Sequence, residues 1–138
     1  MALVCDTSVV LAAFDRDDSV HDVCAELLRT ADEDLVLPTL VLAEIDYWCR
    51  KRKLVRSWPA MLDETDAGVW RVVHPTAADL RRAKDLLIQY ADLDLGIIDA
   101  SLIALCERLE ELKVATLDRR HFTAVRPLHV PALSILPE

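Results

Sequence analysis

The chain has 138 residues, 53% of them hydrophobic, and a formal net charge of −8. Its apolar runs, such as Val9 to Phe14, fall far short of the ~20 residues that a bilayer span requires, so no membrane partner is expected. A net negative charge also excludes a generic nucleic-acid coating protein, because non-specific affinity comes chiefly from Lys and Arg neutralising phosphates.

Residues 2 to 5 form an apolar, β-prone run that ends at Asp6, and Thr7 through Phe14 reads as a helix. Asp6 stands where a signal peptide would still be apolar and no basic segment precedes it, so a cytoplasmic location is expected. Ser19 is placed to cap a second helix reaching about Ala31, with Val20, Val23, Cys24, Leu27 and Leu28 at helical spacing. Leu35-Val36-Leu37 is a short strand. A helix starting at Pro38-Thr39 is expected to carry Leu40, Val41, Glu44, Tyr47 and Trp48 on one face, ending in Arg50-Lys51-Arg52-Lys53. Another helix should cover roughly Leu54 to Asp66.

After Gly68, Val69 to Val73 reads as a strand, and His74-Pro75 turns the chain into a helix over about Thr76 to Tyr90. Ala91 to Gly96 is expected as a loop, Ile97 to about Leu112 as a long apolar helix and Lys113 to Leu117 as a strand. A turn at Asp118 to Thr123 and a last strand near Leu133 to Leu136 complete the chain. Alternating strands and helices imply a single α/β domain over residues 1–138, with a mostly parallel sheet between helical layers. With only two glycines there is no dinucleotide or P-loop phosphate cradle and no nucleophile elbow. The four cysteines, Cys5, Cys24, Cys49 and Cys106, lack metal or redox spacing and read as reduced core residues. His74 and His129 have no acid or serine partner in the pattern and read as structural.

The informative residues are acids where a core belongs. Asp99 has Leu102, Ile103 and Cys106 at i+3, i+4 and i+7, and Glu44 has apolar neighbours at the same spacings. Asp6 and Asp118 follow two predicted strands, and the carboxyl ends of strands are where ligands bind in open α/β sheets. Each acid also has an ordinary reading: helix cap for Asp6, partly exposed helix acid for Glu44, dipole partner for Asp99, turn residue for Asp118. Together they point to one acidic site. Several carboxylates side by side must protonate or bind a cation, and an all-oxygen set suits Mg²⁺ or Mn²⁺.

The motifs Asp6-Thr7-Ser8, Ala43-Glu44, Asp99-Ala100-Ser101 and Thr116-Leu117-Asp118-Arg119-Arg120-His121-Phe122 together resemble the PIN-domain ribonucleases, most closely the VapC toxins of toxin–antitoxin pairs. The resemblance covers nearly the whole chain. It implies a three-layer α/β/α fold with a short, mostly parallel sheet, and an endoribonuclease whose Asp6, Glu44, Asp99 and Asp118 hold Mg²⁺ or Mn²⁺, with Thr7, Ser8 and Thr116 as supporting hydroxyls. It further implies cleavage of structured RNA, such as transfer or ribosomal RNA, to 5′-phosphate products. A VapB-type antitoxin as inhibitor and a homodimer are also implied. Arg119, Arg120 and His121, with Arg50 to Lys53, are the cations available to position RNA, or else a solvated turn and helix end, and Leu11, Phe14, Val20 and Leu27 are core or, alternatively, apolar residues available to a partner helix. Asp92 and Asp94 read as solvated loop acids, with Asp92 a reserve near the metal. A housekeeping PIN nuclease of RNA maturation would carry the same four acids, and a catalytically decayed interaction module would keep only the fold. A haloacid-dehalogenase-like phosphatase expects an acid at the position of Ser8.

Overall fold

A computed structural model describes residues 1–138. Five strands, β1 (Ala2–Cys5), β2 (Asp34–Pro38), β3 (Trp70–Val73), β4 (Lys113–Ala115) and β5 (Ser134–Leu136), form one sheet in the order β3-β2-β1-β4-β5. Every pairing is parallel, so the expected mostly parallel sheet is wholly so. The helices are α1 (Thr7–Phe14), α2 (His21–Thr30), α3 (Thr39–Lys51), α4 (Ser57–Asp66), α5 (Ala77–Gln89), α6 (Ile97–Leu109) and α7 (Arg119–Ala124).

The two-residue period of β1 divides the core. Ala2 and Val4 point into a cluster built with α5, α6 and α7, while Leu3 and Cys5 point into one built with α1 to α4. Buried on both faces, β1 has no polar side chain until Asp6, and the sheet lies between two helical layers. All four cysteines are reduced and buried, and burial pushes their thiols up, as expected of core positions. From β1 the chain builds outward to β2 and β3, then returns to lay β4 on the other side of β1. The carboxyl ends of β1 and β4, paired through Cys5 and Ala115, therefore sit at the topological switch point where open α/β sheets form their crevice.

Several expected boundaries move for local reasons. The Ser19 hydroxyl caps nothing: Val20 is the N-cap of α2, and Asp18 Oδ1 accepts the Val20 amide at 3.0 Å instead. The chain is left-handed at Lys53 (φ 58°), which delays α4 to Ser57. Glu110 (φ 55°) ends α6 before Leu112, with the Glu111 amide donating back to Cys106 O. The loop from Ala91 to Gly96 contains a 3₁₀ turn at Ala91–Leu93, and the strand expected to reach Leu117 stops at Ala115. The expected turn at Asp118 to Thr123 is the helix α7. No helix is long and apolar enough to cross a membrane.

Candidate active site

Asp6 follows β1 directly and occupies the N-cap position of α1, but makes no side-chain cap hydrogen bond. Its carboxylate turns inward, with the residue only 5% exposed. Asp6 Oδ2 accepts the Thr116 hydroxyl at 2.8 Å and the Ser8 hydroxyl at 3.2 Å. Those hydroxyls are anchored in turn, since Thr116 Oγ1 accepts the Asp118 amide at 3.0 Å and Ser8 Oγ accepts the Leu117 amide at 2.9 Å. The ends of β1 and β4 are thus laced together through the acid. Burial, then the charge of Asp99, raise the Asp6 pKa to about 6 from an ordinary value of 3.8, against the lowering effect of the Thr116 hydrogen bond.

Asp99 lies in the first turn of α6 and Asp118 caps α7, where its Oδ1 accepts the His121 amide at 3.2 Å. The imidazole of His121 then returns between the two acids. Its Nδ1 is 2.9 Å from Asp99 Oδ2 and 2.8 Å from Asp118 Oδ2, while its Nε2 meets Leu93 O at 3.1 Å. A ring with acceptors at both nitrogens is held as a double donor, the imidazolium. Burial opposes that charge, yet the Asp99 hydrogen bond and the Asp118 and Asp99 charges keep the pKa above its usual value. Burial also raises the Asp99 pKa, with Asp118 and Glu44 adding to it and His121 opposing.

Glu44 departs from its expected setting. The buried stripe of α3 is Val41, Ile45 and Cys49, whereas Tyr47 and Trp48 are 46% and 41% exposed. A helix on a sheet buries the i, i+4, i+8 row that meets it, and the two aromatics fall off that row. Glu44 stands at the stripe's edge, makes no hydrogen bond within the chain, and faces the other acids across a cleft.

That cleft, of 330 Å³, is lined by Asp6, Glu44, Asp99 and Asp118 together with Thr7 and Ser8. Trp48, Arg52 and Leu11 complete its wall. Thr7 Oγ1 is buried without a partner, an unsatisfied donor and acceptor at the edge of the acidic group. A carboxylate oxygen of each of Asp99 and Asp118 and a ring nitrogen of His121 lie within 4.8 Å of one another. Hard carboxylate and hydroxyl oxygens fit a divalent cation such as Mg²⁺ or Mn²⁺. A larger cleft of 430 Å³ between α5 and α6 is already balanced, because Arg82 pairs with Glu107 at 2.9 Å and Arg108 with Asp79 at 3.0 Å.

The expected RNA-positioning cations scatter. Arg50 pairs with Asp46 at 3.3 Å, Lys51 sits 5.6 Å over the Tyr47 ring, Arg119 bonds the Pro137 carbonyl and Arg120 points to solvent. Arg52 is the one basic side chain that lines the cleft. His121, expected as an RNA contact, is instead bonded to Asp99 and Asp118. Asp92 and Asp94 are exposed in the loop whose Leu93 carbonyl holds His121. His74 bonds Thr39 and His129 bonds the Glu111 carbonyl, both away from the acids.

The chain is similar to proteins already known. The family model for the PIN domain matches residues 3–126. Ribonuclease VapC26 of Mycobacterium tuberculosis is 33% identical over 135 residues, covering 98% of this chain and all of that one. VapC20 of the same species, a toxin that cleaves the sarcin-ricin loop, superposes with a TM-score of 0.79 at 20% identity, over 94% of this chain and 98% of that one. VapBC2 of Rickettsia felis, solved on a DNA fragment from its promoter, gives 0.65 at 17% identity over 98% and 97%. At those identities the two structures speak for the fold. The family match and the full-length relative carry the assignment: this chain belongs to the PIN-domain family, in its VapC group.

Proposed function

We propose that the protein is a divalent-metal-dependent endoribonuclease, the toxin of a VapBC-type pair, acting as one domain with Asp6, Glu44, Asp99 and Asp118 as its metal-holding residues. The observation that carries this reading is the convergence of four acids from four separate segments on one cleft, with Asp6 buried and its pKa raised to about 6. Without a cation such a group is costly to keep charged. Mg²⁺ or Mn²⁺ bound there supplies Lewis-acid polarisation of a phosphate and lowers the pKa of water.

The chain's own groups divide the remaining work. Ser8 and Thr116 fix the Asp6 carboxylate. Asp118 accepts the His121 amide with Oδ1 and meets the His121 ring with Oδ2, which holds it beside Asp99 on the cleft. Glu44 makes no internal hydrogen bond, so both its oxygens remain available to the cleft. Cleavage leaves a 5′-phosphate and a 3′-hydroxyl.

A VapB-type antitoxin is the partner, and two copies of the chain form a homodimer in the cytoplasm. Phe14 lines two adjoining clefts of 370 and 360 Å³, which pass between α1, α2 and α4 and suit an amphipathic helix. Leu11 takes its ordinary place in the core, and Val20 and Leu27 pack against the same core. A brief pulse of expression followed by sequencing of RNA 5′ ends tests the reading. New 5′-phosphate ends at a defined RNA, absent with Asp99→Asn and suppressed by co-expression of the adjacent small reading frame, support it. No new ends would overturn it.

A further inference from the structure

The outer wall of the acidic cleft is one row of α3. Glu44, Trp48 and Arg52 are spaced i, i+4, i+8, so consecutive members lie about 6 Å apart along the axis. Arg52, the C-cap residue, still has helical backbone angles (φ −86°, ψ 0°) and continues the row. Each member has a distinct chemistry, and each faces the same cleft.

Trp48 is 41% exposed and is braced edge-on by Tyr47, with ring centroids 5.2 Å apart at 84°. By contrast Trp70 is buried and donates its indole N–H to Glu64 at 2.8 Å, and Trp58 packs on the core. Trp48 has no such hydrogen bond. Arg52 is held by its Nη1 alone, 3.2 Å from both Asp15 and Asp18, which orients the guanidinium while leaving the Nε and Nη2 donors free. In a chain of net charge −8 this is the one cation on the cleft wall.

We propose that Trp48 and Arg52 are the substrate-positioning pair of the site: an unpaired nucleobase of RNA stacks on the Trp48 indole while Arg52 binds a neighbouring phosphate, setting the scissile phosphate against Glu44 and the other acids. This rests on the nuclease reading above and adds two positioning residues to it. A base inside a duplex is stacked on both faces and cannot lie on an indole, so the cut falls in an unpaired segment.

The test uses the full chain, a short single-stranded oligoribonucleotide and the same strand annealed to its complement. In the Asp99→Asn variant, the single strand should quench tryptophan emission and the duplex should not, and the quench should vanish when Trp48→Phe is added. In the otherwise wild-type enzyme, Trp48→Ala should raise KM by about 10-fold or more with little change in kcat, and Trp48→Phe should recover most of it. An Arg52→Gln variant should lower the slope of log affinity against log salt by about one phosphate contact, a change that loss of its Asp15 and Asp18 bonds alone does not produce. Cleavage with unchanged KM in Trp48→Ala, or equal quenching by duplex, overturns the positioning role and leaves the nuclease standing. Specific quenching without cleavage by the wild type overturns the nuclease and keeps the base-binding wall. Neither binding nor cleavage overturns both.

Discussion

Replacing Asp6 with Asn should stabilise the protein in chelator at neutral pH, because the native fold holds this carboxylate charged at a cost. A pKa of about 6 against 3.8 is a shift of about two units, each worth about 1.4 kcal/mol. The sign follows from proton binding: between about pH 4 and 6 the folded protein holds a proton that the unfolded chain has released. Stability from this group is therefore complete below pH 4 and falls by about 3 kcal/mol as pH rises through 6. The Asn oxygen can keep the Thr116 and Ser8 hydrogen bonds, so most of that cost is recoverable at pH 7.5. We expect Asp6→Asn to be about 1–3 kcal/mol more stable there, a Tm rise of about 3–10 °C for a chain this long, converging with the wild type near pH 4. Scanning calorimetry in EDTA from pH 4 to 8 measures it. A destabilised variant at pH 7.5, or one offset by the same amount at both ends, refutes the electrostatic account. With Mg²⁺ or Mn²⁺ the gap should close or reverse, since only the wild type then gains RT ln(1 + [L]/Kd), about 2.7 kcal/mol at a hundredfold excess over Kd.

Thr116→Val removes the hydroxyl that joins Asp6 to the Asp118 amide; urea melts should show a loss of about 1–3 kcal/mol, with weaker metal binding by calorimetric titration. Asp118→Ser keeps a capping oxygen for α7 but not the carboxylate, so it should melt close to the wild type while Asp118→Ala loses about 1 kcal/mol, and neither should cut RNA. Ile45→Ala, one residue from Glu44 but in the core, should cost about 2–5 kcal/mol by urea melts. Glu44→Gln should leave stability nearly unchanged and abolish cleavage, which separates packing from chemistry on adjacent positions.

The acids were legible where apolar surroundings marked them. Asp6 ends an apolar strand, and Asp99 shares its helix with Leu102, Ile103 and Cys106, all buried. The spacing around Glu44 points to Tyr47 and Trp48 as its inward neighbours, but α3 carries apolar residues on more than one face and only the sheet decides which row is covered. Helix α7 resembles a turn in the sequence, since six residues with one buried apolar side chain, Phe122, make no periodic signal; its available mark is Asp118 as an N-cap. His121 is legible as a neighbour of Asp118, three residues away, but its bonds to Asp99 and Leu93, 22 and 28 residues away, leave no local pattern. Strand order, and with it the meeting of β1 and β4, likewise depends on long-range packing.

The central claim is that the four-acid cleft cuts RNA through a bound divalent ion. It is tested most directly by following RNA cleavage with the purified chain in Mg²⁺, Mn²⁺ or EDTA, beside Asp6→Asn, Glu44→Gln, Asp99→Asn and Asp118→Asn. The account predicts 5′-phosphate products from the wild type with metal, none in EDTA, and none from any of the four variants although each remains folded. Cleavage that persists in EDTA, or at the wild-type rate in Asp99→Asn, would contradict it.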